Sequence, residues 1–221
     1  MFFPPLLLLF IFLFFFIWVF LFGFLHLGLI GYAFSKIGIP ADYMMSLLLL
    51  SLLGSFVNIP VKKIPNNQLV IKEVITYWGF RVKIPCYQPN YTIIAINVGG
   101  AIIPVLISVY LIGQFGHIFQ TIIAVTIVSM VTHRFAQPVP GLGIALPLFI
   151  PPIIAALTAI ILAPNHAPAL AYIAGTLGTL IGADLMNLKK IETLGAPVAS
   201  IGGAGTFDGI FFTGILAVLL A

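Results

Sequence analysis

Pro5-Leu-Leu-Leu-Leu-Phe10-Ile-Phe-Leu-Phe-Phe15-Phe-Ile-Trp-Val-Phe20-Leu-Phe-Gly-Phe-Leu25-His26 carries no charge, and the uncharged stretch continues to Ser35. A helix needs roughly 20 apolar residues to cross the hydrocarbon of a bilayer. This segment exceeds that length and is expected to span as a tilted helix. A cleaved leader is not expected: no basic region precedes the apolar core, the core is too long, and no A-x-A site follows it. His26 reads as a hydrogen-bonded interior histidine rather than a ligand.

The rest of the chain has the same character. Hydrophobic residues make up 62% of the 221 and charged residues only 6%, with a mean hydropathy of +1.23. A soluble domain carries about a quarter charged residues because its surface must face water. A water-soluble globule is therefore excluded, and a single polytopic transmembrane domain over residues 1–221 is expected, with the lipid bilayer as its first partner. The net charge of +4 disperses into loop anchors, so no nucleic-acid partner is implied. Cys86 is the only cysteine, which excludes an intrachain disulfide.

Apolar runs predict an all-α bundle of about seven transmembrane helices, at about 5–34, 41–59, 93–112, 117–132, 142–162, 167–188 and 198–221. The polar stretch between the second and third spans contains β-branched and aromatic residues around a glycine, and predicts a small β-hairpin over about 69–85 turning near Trp78-Gly79. Trp78 and Tyr77 would anchor it at the membrane surface, and its strand edge could receive an extended peptide. Lys62, Lys63, Lys72, Arg81, Lys83, Arg134, Lys189 and Lys190 follow even-numbered spans, and only Lys36 follows an odd one. This bias predicts a multi-pass cell-membrane protein with the N-terminus and hairpin cytoplasmic and the C-terminus outside.

A faint internal repeat is visible. Gly54-Ser-Phe-Val-Asn58-Ile-Pro-Val-Lys62-Lys63-Ile64 echoes Gly182-Ala-Asp184-Leu-Met-Asn187-Leu-Lys189-Lys190-Ile191, and Val98-Gly-Gly-Ala101 echoes Ile201-Gly-Gly-Ala204. Spans two and three would then be a same-orientation copy of spans six and seven, with chance similarity in so biased a composition as the alternative.

A carboxylate inside a bilayer is costly, so an intramembrane Asp is a functional candidate. Asp42, Glu73 and Glu192 fall in loops or at membrane edges. Asp184 lies near the cytoplasmic end of the sixth span, and Asp208 lies in Gly203-Ala-Gly205-Thr-Phe-Asp208-Gly, where the seventh begins from the same side. Consecutive antiparallel helices would bring both to similar depth. Two carboxylates meeting in a low-dielectric site share a proton, which yields an acid and a base acting on one water. The structural alternative pairs Asp184 with Lys189 and makes Asp208 a helix N-cap. Other chemistries lack their residues: there is no H-E-x-x-H, no G-x-S-x-G, and the four histidines are scattered. No metal or cofactor is implied.

Asp184-Leu-Met-Asn-Leu, a short basic loop, then Gly203-x-Gly205-x-x-Asp208-Gly-Ile-Phe-Phe resembles the catalytic helix pair of the GxGD intramembrane aspartyl proteases: presenilin, signal peptide peptidase and prepilin peptidase. Two extra residues stand before Asp208, and no Tyr precedes Asp184. That family's Pro-Ala-Leu motif has a permuted likeness in Pro138-Val-Pro140-Gly-Leu-Gly-Ile-Ala145-Leu146-Pro147, whereas the literal Pro168-Ala169-Leu170 falls on the outer side. The whole chain also resembles a family of prokaryotic multi-pass membrane proteins of unknown function.

The resemblance implies an intramembrane aspartyl protease with Asp184 and Asp208 as general acid and base. Gly203, Gly205, Ala145, Leu146 and Pro147 would bind a transmembrane or signal-like peptide near the cytoplasmic face. The rival readings are a small proton-coupled transporter or channel, and an inactive membrane scaffold. The oligomeric state is not indicated.

Overall fold

A computed structural model describes the backbone of residues 5–75, 81–139, 143–191, 198–203 and 209–221. It describes the side chains of the same residues except 5–11, 18–22, 24–26, 41, 66–75, 81–90, 143 and 191. The expected interior role of the His26 side chain and the expected hairpin turn at Tyr77, Trp78 and Gly79 lie outside the described residues.

Helix α1 (Pro5–Lys36) is followed by α2 (Ala41–Gly54) and the strands β1 (Asn58–Ile75) and β2 (Arg81–Asn97). A π-helical turn, Val98–Ile102, opens α3 (Ile103–Phe115), and α4 (Ile118–Phe135) returns. A two-stranded ribbon of β3 (Gln137–Val139) and β4 (Gly143–Ala145) leads into α5 (Ile150–Leu162). A 3-10 turn, Pro164–His166, opens α6 (Ala167–Thr179), which ends in a π turn, Leu180–Asp184, and a 3-10 turn, Leu185–Asn187. The short α7 (Leu188–Ile191), β5 (Val198–Ile201) and α8 (Gly209–Leu220) complete the described elements.

The chain is a mostly helical membrane protein. Among the described residues, three helical segments are long and apolar enough to cross a bilayer: Val98–Phe115, Ile118–Phe135 and Pro164–Lys190. The outward faces of the first two suit lipid and not water: Leu106 on α3 and Phe119 on α4 are 61% and 73% exposed. The apolar helices Asp42–Gly54, Ile150–Leu162 and Gly209–Leu220 are shorter. At 1.5 Å per residue, a 12- or 14-residue helix reaches only about 20 Å, short of the roughly 30 Å of hydrocarbon.

Strand occupies the difference at one end of the bundle. β1 pairs antiparallel with β2 from Asn58↔Asn97 to Ile75↔Arg81, with a bulge between Pro60 and Lys62. β2 then pairs in parallel with β5, Ile93↔Val198 through Ile96↔Ile201, giving the order β1-β2-β5. Residues expected to be helical at 55–59, 93–97 and 142–149 therefore lie outside helices where they are described, and the hairpin is longer than the expected 69–85. A short apolar run of β-branched residues such as Ile93-Ile94-Ala95-Ile96 cannot be assigned to helix or strand by periodicity alone. Pro60 is tolerated because β1 is an edge strand, where a missing N–H breaks no ladder.

Helix α6 is the axis of the bundle, buried along almost its whole length and packed against α3, α4, α5 and α8. The core beside it joins Phe34 of α1, Ile37 in the turn after it, Leu111 of α3, Tyr172 of α6 and Val218 of α8. The two ends differ. At one, the rings of His117 and His166 lie 5.0 Å apart and Lys36 Nζ donates to the Val218 carbonyl at 3.3 Å. At the other lie the sheet, the ribbon, Lys62 and Lys63 after α2, Arg134 in the last turn of α4, and Lys189 and Lys190 after α6.

Candidate functional site

At the sheet end, the last turns of α6 depart from α-helical geometry for a reason that lies in the packing. A Cβ added to Gly182 would stand 1.9 Å from Thr132 Oγ1 and 2.3 Å from the Ser129 carbonyl, both on α4. Only glycine allows so close an approach. The wider turn that follows is held by Asn187, 1% exposed, whose Nδ2 donates to the carbonyls of Gly182 at 3.1 Å and Ala183 at 2.9 Å. π turns of this kind are rare and recur at functional sites.

This turn delivers Asp184. Its Oδ2 accepts a hydrogen bond from the backbone N–H of Gly202 at 2.8 Å, so the end of α6 is tied to the residue that follows β5. Gly202 has φ +86°, and a Cβ there would meet the Ala101 Cβ at 2.6 Å and the Ala101 N at 2.7 Å. The two Gly-Gly segments that echo each other in sequence thus pack together, each following one of two parallel strands. Beside them, Asn97 (1% exposed) donates from Nδ2 to the Ser55 carbonyl at 2.6 Å and to Asn58 Oδ1 at 3.1 Å, and accepts from Gly100 N at 2.8 Å. Ser200 Oγ also donates to Asn58 Oδ1. This buried node fastens β1, β2 and β5 to α2.

Asp184 opens onto a chamber of about 70 Å³, large enough to admit water, which needs on the order of 10–15 Å³ of such space. Helix α6 contributes Thr179, Ala183 and Asp184, and α8 contributes Gly209, Ile210 and Thr213. The segment after β4 contributes Leu146, Pro147 and Leu148. Of the residues singled out in the sequence, Asp184, Leu146 and Pro147 are thus brought together. Ala145 ends β4 and is exposed beside them. Gly203 follows Gly202 with φ +96° and does not line the chamber. Gly205 and Asp208 lie outside the described residues, although Gly209, the next residue after Asp208, lines it. The literal Pro168-Ala169-Leu170 is at the opposite end, where Ala169 and Leu170 wall a small cavity beside His117 and His166.

Sequence reasoning missed Thr179 and Thr213. Both are 2% exposed, and Thr179 Oγ1 is buried with no hydrogen-bond partner among the described residues. An unpaired buried hydroxyl costs on the order of 1–3 kcal/mol. A larger cavity of about 450 Å³ lies between α2 and α3, walled by Ile39, Tyr43, Leu47, Leu106 and Tyr110. No Asp, Glu, His, Lys or Arg lines it. Among the described residues no three His, Cys, Asp or Glu side chains come together as a metal site.

Residues 52–220 match the model of a family described as a protein of unknown function (DUF1614). No curated protein and no solved structure matches the chain.

Proposed function

The chain belongs to the DUF1614 family, and we propose that it is an intramembrane aspartyl protease hydrolysing a transmembrane or signal-like peptide at the chamber beside Asp184. One observation carries the reading: the Asp184 carboxylate, held by the Gly202 amide, faces a water-sized chamber walled by Leu146, Pro147 and Gly209. Asp208, immediately before Gly209, supplies the second carboxyl. The ionised member takes a proton from water as the water oxygen attacks the peptide carbonyl carbon. The protonated member gives its proton to the carbonyl oxygen. Collapse of the resulting diol breaks the C–N bond, and the amine leaves with a proton returned by the pair. The apolar wall of Leu146, Pro147 and Leu148 suits an unwound segment of a membrane helix.

In this reading seven spans cross the cell membrane, with the sheet end and its lysines in the cytoplasm. The shorter helices complete their crossings with the segments that flank them. The parallel pairing of β2 with β5 and the paired Gly-Gly segments also suit a transporter built from parallel repeats, with Asp184 as the proton carrier. Purified protein in liposomes with a single-span test peptide, read by mass spectrometry beside the Asp184→Asn and Asp208→Asn variants, separates the two. The protease yields a defined peptide product that both variants lose. A transporter yields none, and its substitutions change flux alone.

A further inference from the structure

In a regular α-helix, residues five apart point about 140° away from each other. Thr179 and Asp184 are five apart, yet both line the chamber. The π turn at Leu180–Asp184 accounts for this, since its i→i+5 repeat stacks residues five apart on one side. The rare turn that delivers the carboxylate thus also sets a hydroxyl next to it.

That hydroxyl is not used by the fold. Other hydroxyls on these helices donate back to the carbonyl four residues earlier: Ser108 to Pro104 at 2.9 Å, Thr126 to Ile122 at 2.7 Å, and Thr132 to Val128 at 2.8 Å. Thr179 Oγ1 makes no such bond, and none to another element, among the described residues. Ser129 Oγ and Asn187 Oδ1 are likewise buried without a partner among the described residues, but of these three groups Thr179 alone lines the chamber, and an unpaired group on a chamber wall points to what enters the chamber. On the α6 side of that wall, Asp184 is bonded to Gly202, while Thr179 keeps both its donor and its acceptor capacity among the described residues.

We propose that Thr179 is a catalytic residue whose hydroxyl donates a hydrogen bond to the peptide carbonyl oxygen as that oxygen gains charge under attack by water. This rests on the protease reading above. The hydroxyl forms no covalent bond and keeps its proton throughout. Its contribution is a fixed dipole on a side chain that is 2% exposed, where such a donor is worth more than in solvent.

The test compares wild type with Thr179→Val, Thr179→Ser, Asp184→Asn and Thr176→Val, for cleavage of a single-span peptide in liposomes and for thermal unfolding in detergent. Thr176 is a buried α6 hydroxyl that does not line the chamber, and its variant controls for the loss of any buried hydroxyl. Thr179→Val keeps the shape of the side chain and should lower kcat roughly 100-fold with KM unchanged. Its melting temperature should equal or exceed that of wild type, because the fold loses no bond. Thr179→Ser should restore most of the rate, and Thr176→Val should cleave normally. A lower melting temperature for Thr179→Val overturns the inference, because the hydroxyl is then serving the fold. Full cleavage by Thr179→Val with loss in Asp184→Asn overturns the inference and leaves the protease reading intact. Undiminished cleavage by Asp184→Asn, or no cleavage by wild type, overturns the reading and the inference together.

Discussion

The backbone N–H of Gly202 donates to Oδ2 of Asp184 at 2.8 Å, across 18 residues of chain. The bond joins the end of α6 to the residue that follows β5. It therefore fixes the carboxylate relative to the end of β5.

Asp184→Asn should abolish peptide cleavage while the protein still folds, because the Asn side-chain oxygen can accept the same N–H. Asp208→Asn should do the same, and the double variant should lose no more than either single one, since the pair activates water as a unit. Wild-type activity should fall at high pH once both carboxyls are ionised and no acid remains. The midpoint belongs to the coupled pair. Cleavage rates of wild type across pH, with the three variants alongside, check this, and activity surviving in either single variant refutes the dyad.

Gly202→Ala should be severe. Its φ of +86° disfavours any Cβ, and the added atom would stand 2.6 Å from Ala101. The backbone term alone costs on the order of 1–3 kcal/mol. Thermal unfolding in detergent should show the loss, and activity should fall with it because Asp184 loses its fixed donor. A variant as stable as wild type would contradict the close packing of the two Gly-Gly segments.

Asn97→Ala should destabilise the sheet end. It removes the donor to Ser55 and Asn58 and the acceptor for Gly100, all in a site that is 1% exposed. Each stranded partner costs on the order of 1–3 kcal/mol. Ser200→Ala, which removes one donor at a half-buried position, should cost clearly less. Melting temperatures of the two variants, measured side by side, give the ranking.

Single cysteines placed at Lys62, Asn165 and Lys189 in a Cys86→Ser background should report two sides of the membrane. Lys62 and Lys189 follow helices that end at the sheet, and Asn165 lies in the turn beside His166 at the other end. Membrane-impermeant thiol reagents should label Lys62→Cys and Lys189→Cys from the cytoplasmic side and Asn165→Cys from outside. Labelling of Lys62→Cys and Lys189→Cys from opposite sides would break the proposed topology.

Much of the candidate site was legible because rare residues stand out against an apolar background. Asp184 is conspicuous as a carboxylate inside a span, and the prolines and glycines around Leu146 and Gly203 mark broken helices. Thr179 was not legible, because a threonine in a membrane helix reads as ordinary back-bonding to its own turn. Only the π turn, which depends on the contact of Gly182 with α4, turns that hydroxyl toward the chamber. Residues 58–59 and 93–97, which are strand, were read as helix because short apolar runs do not let periodicity decide.

Composition by itself settled that this chain lives in a bilayer, since transfer of apolar side chains is local and additive over residues. It also marked where helices break, because glycine and proline act on their own backbone. Tertiary structure decided which breaks meet. Parallel pairing of Ile93–Ile96 with Val198–Ile201 joins segments far apart in sequence, and no local propensity encodes it. It arises because short helices leave backbone polar groups near the membrane that must find partners within the protein. That pairing sets Gly202 where its N–H reaches Asp184.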